Sequence, residues 1–598
     1  MNPKHFLLLL PLVLTLCLTT TATTTAPKGF SRLGDKLKFP NMTLEHLDPT
    51  LPPVLPGQTP RCSVLVLQHD FANTIGAPPA AANYSQPPDC PAPWTRIVLE
   101  LSVSASAIQK DRIAAIWIDG VEVLRTTTPV PMSPGAFWKV TKDITRYASA
   151  VRRLADYNGV VSMMLENSNT ELPGVYSASI SIHFYRGAVS TNPNSFSTHP
   201  TIKGLYKEPA DLIIPVTNEN GFNKAGFWFT IQNEADTVAT SIQIPTNTYR
   251  AVLELFVSYH GDDEFWYNNP LRSSYLDKTS NPKLSTPRTN GAFRQVFAAI
   301  DGKFVGGHIP IVVIYPGSIN PFFWSPVAAI AAFDMPSYDL DITPFLGMLL
   351  DGRPHEFSFG VHDSQPYWLV GANLHVWVDV WSDVTQAGLM DYNAPPLKVN
   401  RNAAWRNQDG QSEIDAEGLL RFIGWVSSSK GNLTTVVRQK IKFKSQVEVQ
   451  NRGAVKQVEM INKGRMTVAL MKGNQGLARV QLMVDAPMQV QTSSVNTASG
   501  AVFQKTRLYH QLQEIVELSE GQAVSVATLT DRQDADGSAL LHEGEAVWGN
   551  GATRSSYKFR DDTTCYIRAV NTAGGLVQFD TTSGSCLKLG EEGKRSAS

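Results

Sequence analysis

Arg96-Ile97-Val98-Leu99-Glu100-Leu101-Ser102-Val103-Ser104 returns later in the chain as Arg250-Ala251-Val252-Leu253-Glu254-Leu255-Phe256-Val257-Ser258, with seven identities in nine positions. Three further matches follow in the same order: Ile118-Asp119-Gly120 with Ile300-Asp301-Gly302, Phe137-Trp138 with Phe323-Trp324, and Asp143-Ile144-Thr145 with Asp341-Ile342-Thr343. Order kept across insertions is the mark of one fold present twice. Each copy closes on an alternating stretch: Ile180, Ile182 and Phe184 between polar residues, then Leu374, Val376, Val378 and Val380 between His375, Trp377 and Asp379. Period two predicts strands with one buried face. Many such strands, Gly/Pro turns and no 3.6-residue periodicity predict an all-β chain: two tandem jelly-roll-like sandwiches, residues 61–215 and 216–386, then a further β-rich C-terminal module, 387–598.

Outside the repeat, residues 26–60 are rich in Pro and Thr and read as an arm, and residues 1–25 carry a basic start, an apolar run from Phe6 to Leu18 and a small-residue tail, the pattern of a signal peptide. Ile309 to Phe333 is apolar but is interrupted by Pro316, Gly317, Pro321 and Pro326, so no transmembrane segment is expected. With the signal removed, Cys62 and Cys90 form one local couple and Cys565 and Cys586 another, each read as a disulfide. Sequons at Asn41, Asn83 and Asn432 agree with passage through the secretory lumen, which predicts residence in the cell wall, the extracellular space or the vacuole. Lys plus Arg number 52 against 53 Asp plus Glu, with no long basic run, so nucleic acid is not an expected partner.

The chain has no GxSxG elbow, HExxH, P-loop or GxGxxG, and paired cysteines leave no thiolate nucleophile, so carboxylates are the chemistry left. His260-Gly261-Asp262-Asp263-Glu264-Phe265-Trp266-Tyr267-Asn268-Asn269 puts three acids beside aromatic residues directly after the second repeated strand. Crowded carboxylates repel, which holds a proton on one of them and separates an acid from a base. Trp266 and Tyr267 offer a ring to a sugar. A solvated acidic loop or a calcium site built from Asp262, Asp263 and Glu264 is the plainer alternative. Sliding by the offset of the repeated strand places Asp111 near Glu264, and pseudo-symmetry would bring both to one interdomain groove. Glu166 ends an apolar run at the position of His362 in the other copy, and His69 and Asp70 follow a buried strand.

Three long stretches carry a resemblance: Gln68 to Gly76, Asp262 to Asn268, and Gly317-Ser318-Ile319-Asn320-Pro321-Phe322-Phe323-Trp324-Ser325-Pro326. They resemble the plant peptide N-glycanase A family over nearly the whole mature chain. That resemblance implies a glycoamidase that cuts the bond between an N-glycan and its asparagine, leaving aspartate, with N-glycosylated peptides or denatured glycoproteins as partners and no cofactor or metal. A more distant similarity to bacterial peptide N-glycosidase F runs through Asp111-Arg112, Glu166, Ile242 to Thr248 and Phe293-Arg294. It implies Asp111 as the main catalytic carboxylate and Glu166 as a supporting acid. The third bacterial acid falls on or near Asn290, a departure for which Glu264 is the expected substitute. On this reading Arg112, Asn268 or main-chain N–H groups stabilise the oxyanion, and Trp117 or Trp266 holds the first sugar. Asp262, Asp263, His69 and Asp70 are further candidate contacts. A glycan-binding protein without catalysis and a glycoside hydrolase are the competing functions.

Overall fold

A computed structural model describes residues 42–54, 57–86, 88–157, 159–186, 209–218, 221, 226–271, 290–406, 409–542 and 545–584, with the short strand Arg32–Leu33. The signal-peptide stretch, Asn41 and Cys586 lie outside the described residues. The first repeat supplies eight strands in two antiparallel sheets. One runs Phe137–Asp143, Arg96–Ala105, Tyr176–Tyr185, Cys62–Phe71, extended at its edge by Glu45–His46; the other runs Ala80–Asn83, Val160–Leu165, Ile113–Ile118, Val121–Thr127. The second repeat has the same connectivity. Ser337–Asp341, Thr248–Tyr259, Trp368–Val378 and Leu212–Val216 form one sheet, and Val238–Ile242, His355–His362, Gln295–Ile300 and Lys303–His308 the other. In chain order this is 6-3-8-1 facing 2-7-4-5, the jelly-roll arrangement.

The repeated motifs explain why both copies fold alike. Asp119-Gly120 and Asp301-Gly302 all have positive φ, the requirement of a tight hairpin turn between consecutive strands. Asp143 Oδ1 accepts from Thr145 N at 2.9 Å and Asp341 Oδ1 from Thr343 N at 3.0 Å, while the two threonine hydroxyls accept from Ile97 N and Ala251 N at 2.9 and 3.2 Å. Arg96 and Arg250 reach the same two aspartates at 3.5 and 3.6 Å. Phe323-Trp324 is not part of this correspondence. It sits in a 3-10 turn, and the strand equivalent to Phe137–Asp143 is Ser337–Asp341. The strand Trp368–Val378 also departs from the expected single buried face. His375 and Trp377 are buried as well, because that side of the sheet packs on the first sandwich.

The C-terminal region is one antiparallel meander of long strands, from Gln386–Asn393 to Leu576–Ser583, in which Gln475–Asn496 alone has 22 residues. Its alternating buried face merges with the core of the second sandwich, where Phe443 meets Phe293 edge-on at 5.6 Å. It also cradles the apolar stretch from Ile309 to Phe333. That backbone is largely irregular and buried, so its polar groups need partners from elsewhere. Asn462 donates to Ile309 O at 3.0 Å, Gln533 donates to Ala328 O at 2.7 Å and accepts from Ile330 N at 3.2 Å, and Thr553 donates to Phe323 O at 2.7 Å. No helix among the described residues is long and apolar enough to cross a membrane.

A cavity of about 270 Å³ remains between the sandwiches and this sheet, lined among others by Glu514, Asp531, Tyr147 and Glu254. Asp531 is buried and its Oδ1 has no hydrogen-bond partner among the described residues. Burial pushes the Asp531 carboxyl up to about 8 and the Glu514 carboxyl up to about 7. The folded protein therefore keeps two protons that the unfolded chain releases near pH 4. Their contribution to stability is complete below that pH and is lost progressively as pH rises to about 8. Urea denaturation is expected to give a lower midpoint at pH 8 than at pH 5. Asp531→Asn combined with Glu514→Gln is expected to flatten that difference.

Candidate active site

Asp111 lies in the link between Arg96–Ala105 and Ile113–Ile118, and a buried glutamine holds the link in place. Gln109 Nε2 donates to Ser168 O, Leu172 O and Gly174 O at 3.0, 3.2 and 2.9 Å, while its Oε1 accepts from Lys110 N at 2.9 Å and Arg112 Nη2 at 3.1 Å. Thr128 Oγ1 takes Arg112 N at 2.9 Å, and Tyr176 donates its hydroxyl to Lys110 O at 2.7 Å. Glu166 follows Val160–Leu165, and its N–H donates to Ile113 O at 3.2 Å, so Asp111 and Glu166 sit at neighbouring strand ends of one sheet. Neither carboxyl makes a hydrogen bond among the described residues, which leaves both free for a ligand.

Glu264 arrives from the second sandwich, on the excursion that follows Thr248–Tyr259. His260 and Tyr367 exchange main-chain hydrogen bonds at 2.9 and 3.0 Å, and Pro366 O accepts from the N–H groups of Asp262 and Asp263. Gly261 has φ +57°, and a Cβ there would stand 2.9 Å from Pro366 O, so the turn admits only glycine without a shift. Two consecutive residues then bring the acids together. Ser318 Oγ donates to Glu264 Oε1 at 3.3 Å, and Gly317 lies so close to Asp111 that a Cβ on it would be 2.2 Å from Asp111 Oδ1.

The acids meet by a route other than pseudo-symmetry. With Ile118 matched to Ile300, the position equivalent to Asp111 is Phe293, which packs on Phe443; Glu264 belongs to an insertion that only the second copy has. The equivalence of Glu166 with His362 does follow from strand register.

Burial raises the Glu166 carboxyl above the ordinary range, opposed by the Arg112 guanidinium. Burial also raises the Tyr367 phenol, and the charges of Glu166 and Glu264 add to the effect, which puts Tyr367 within electrostatic reach of both acids. Burial, with the Arg125 cation, lowers His260 to about 3, so its ring stays neutral in mildly acidic solution.

Several residues singled out in the sequence are spent on structure. Asp263 is fully buried: Arg294 donates to both its oxygens at 2.7 and 2.5 Å, and Gln365 N and Trp368 Nε1 add bonds at 2.8 and 2.7 Å. Trp117 is closed off against Phe227 and Trp228, and Trp266 against Tyr259 and Tyr267, so neither ring is open to a sugar. The insertion hides its aromatics because they form the core under the acidic turn. Asn268 is buried, its main-chain carbonyl accepting from Lys456 Nζ at 3.0 Å while its side-chain Oδ1 has no hydrogen-bond partner among the described residues, and Asn290 donates to Asp363 O at 3.0 Å. Asp262 is half-buried in the 3-10 turn Gly261–Asp263. His69 and Asp70 are exposed on the strand whose last residue, Phe71, accepts from Asn167 Nδ2 at 3.0 Å, next to Glu166. Gln109, Gly317, Ser318 and Tyr367 were not singled out, since each acts through a partner distant in sequence.

Cys62 and Cys90 form a disulfide, and Cys565 is disulfide-bonded. Asn83 and Asn432 are exposed. Among the described residues no group of three or more His, Cys, Asp or Glu side chains is placed to hold a metal ion.

A family model described as peptide N-acetyl-beta-D-glucosaminyl asparaginase amidase A matches residues 50–395. Peptide-N4-(N-acetyl-beta-glucosaminyl)asparagine amidase A of Prunus dulcis is 34% identical over 537 residues, covering 90% of this chain and 92% of the relative. Among solved structures, PNGase F, a glycosylasparaginase from Flavobacterium meningosepticum, aligns at 14% identity and TM-score 0.32, over 53% of this chain and 96% of that one. PNGF-II aligns at 12% identity and TM-score 0.32, over 53% of this chain and 66% of its own.

Asp263→Ala would strand the buried Arg294 charge, and thermal denaturation is expected to show a loss of about 3–5 kcal/mol. Gly317→Ala meets only the end of the Asp111 side chain. It is expected to leave the melting temperature nearly unchanged while a crystal structure shows the Asp111 carboxylate turned aside.

Proposed function

The chain belongs to the peptide N-acetyl-beta-D-glucosaminyl asparaginase amidase A family, and we propose that it hydrolyses the amide joining an N-glycan to asparagine, releasing the intact glycan and leaving aspartate in the peptide. The observation that carries the site assignment is the meeting of Asp111 and Glu264 across Gly317-Ser318, with Glu166 at the neighbouring strand end. Asp111, without a hydrogen-bond partner among the described residues, takes a proton from water as the oxygen attacks the side-chain carbonyl carbon. The C–N bond of the resulting tetrahedral species then breaks, and the departing nitrogen takes a proton from an acid. Glu166 suits that step, because burial keeps it protonated to higher pH than an open glutamate. Glu264, oriented by Ser318, is placed to hold the amide or the first sugar hydroxyls. These steps call for neither a covalent intermediate nor a cofactor.

Glycopeptides or denatured glycoproteins suit the cleft better than compact glycoproteins, since the asparagine side chain must reach carboxyls that are themselves half-buried. Work in the secretory lumen, the cell wall or the vacuole fits the Cys62–Cys90 disulfide and the open sequons at Asn83 and Asn432.

Asp111→Asn is expected to lower kcat on a defined glycopeptide by about a thousandfold with an unchanged melting curve, in line with the loss of a general base. Mass spectrometry of the products reads the reaction class as well. An amidase yields aspartate and a whole glycan, a glycosidase leaves a sugar on asparagine, and a lectin changes no mass.

A further inference from the structure

We propose that the phenolic hydroxyl of Tyr367 donates the hydrogen bond that meets the scissile carbonyl oxygen as it gains negative charge; this rests on the amidase reading of the site. When water adds to the carbonyl carbon, the π electrons of the C=O bond move onto oxygen, and that oxyanion forms in a cleft walled by three carboxyl groups. Such a cleft needs a donor in place before the reaction begins.

Other donors are committed or buried. Arg112 directs Nη2 to Gln109 Oε1 at 3.1 Å and to Ser168 O at 3.4 Å, and its Nε, which has no hydrogen-bond partner among the described residues, is buried. Asn268 is buried, and Ser318 gives its hydroxyl hydrogen to Glu264. The main-chain N–H groups of His260, Asp262, Asp263, Glu264 and Ser318 are all paired within the turns that carry them. Tyr367 differs in that its hydroxyl makes no hydrogen bond among the described residues, while its ring is held firmly. The ring stacks on His260 at 5.2 Å, His260 stacks on Tyr315 at 5.8 Å, and Tyr315 on Tyr259 at 5.2 Å. This column rises from the core of the second sandwich and ends at the half-exposed Tyr367. Donation needs a phenol that keeps its proton, and burial together with the nearby Glu166 and Glu264 charges ensures that it does. No proton is transferred. The hydroxyl stabilises the oxyanion and relaxes when the C–N bond breaks.

Tyr367→Phe keeps the stacked ring and removes only the donor. Steady-state kinetics on a purified glycopeptide carrying one N-glycan are expected to show kcat down by about 100-fold, the scale of losing one oxyanion donor, with KM little changed. An unchanged kcat in Tyr367→Phe, or a loss confined to KM, overturns the proposal and makes Tyr367 a sugar platform instead. Substituting 3-fluorotyrosine, a more acidic phenol, provides a second measurement. The fluorinated phenol still donates, so kcat is expected to stay close to that of the unsubstituted protein, and a loss as large as that of Tyr367→Phe also counts against the assignment. A wild-type protein that leaves asparagine unconverted would refute the amidase reading itself, an outcome distinct from an active wild type whose Tyr367→Phe variant is equally active.

Discussion

The candidate active site depends on a charge pair buried where the two sandwiches meet. Arg125 binds Glu122 through two bonds of 2.6 and 2.8 Å on the first sandwich, and its remaining donors cross the seam to Leu369 O at 2.7 Å and Ser258 Oγ at 3.2 Å. Asn373 joins the Glu122 main chain from the other side at 3.1 and 2.8 Å, then extends to Glu254, which also takes Tyr147 and His375. Charges placed out of water are tolerated only when nearly every lone pair and N–H is satisfied, and this arrangement satisfies them at one relative orientation of the sandwiches. Apolar packing alone would allow sliding. Asp111 comes from one sandwich and Glu264 from the other, so the distance between them is set by this seam.

The rest of the geometry comes from a second support. The stretch containing Gly317 and Ser318 has little regular secondary structure, yet it must place two residues against two acids. It is held by side chains that project from the C-terminal sheet, Asn462, Gln533 and Thr553 among them. The C-terminal sheet thus takes part in the site without lending it a catalytic group. Beneath the acidic turn, Tyr259, Trp266, Tyr315 and Trp368 make a packed aromatic layer that keeps the excursion from collapsing.

The fold was legible in the sequence because its signals are local: alternation within strands, Asp-Gly at hairpins, and Asp-Ile-Thr where a main-chain turn needs a carboxylate and a hydroxyl. The repeat carried that information twice. The site was legible in part. Asp111, Glu166 and Glu264 could be picked out as carboxylates in suggestive surroundings, but not the contacts through Gly317 and Ser318 that bring two of them together. Asp263 could not be told from Glu264, since only the fold shows that Arg294 meets one and not the other. Trp117 and Trp266 likewise have the composition of a sugar platform and the burial of a core. Gln109 and Tyr367 gave no local signal, and Gly317 showed only as part of a longer stretch, because each acts on a group that the fold brings in from far along the chain.

The C-terminal sheet touches the 309–333 stretch through a bare patch. Side chains on Gly549 and Gly551 would overlap Phe322, at 2.2 and 2.6 Å, and one on Gly537 would press on Phe323 at 2.9 Å. Phe322 and Phe323 follow Gly317-Ser318 by four to six residues, so the patch acts as a depth stop for the segment that separates the two acids. A side chain gained at one of these covered glycines would therefore push on the segment between the two acids while leaving every carboxyl of the cleft unchanged in kind.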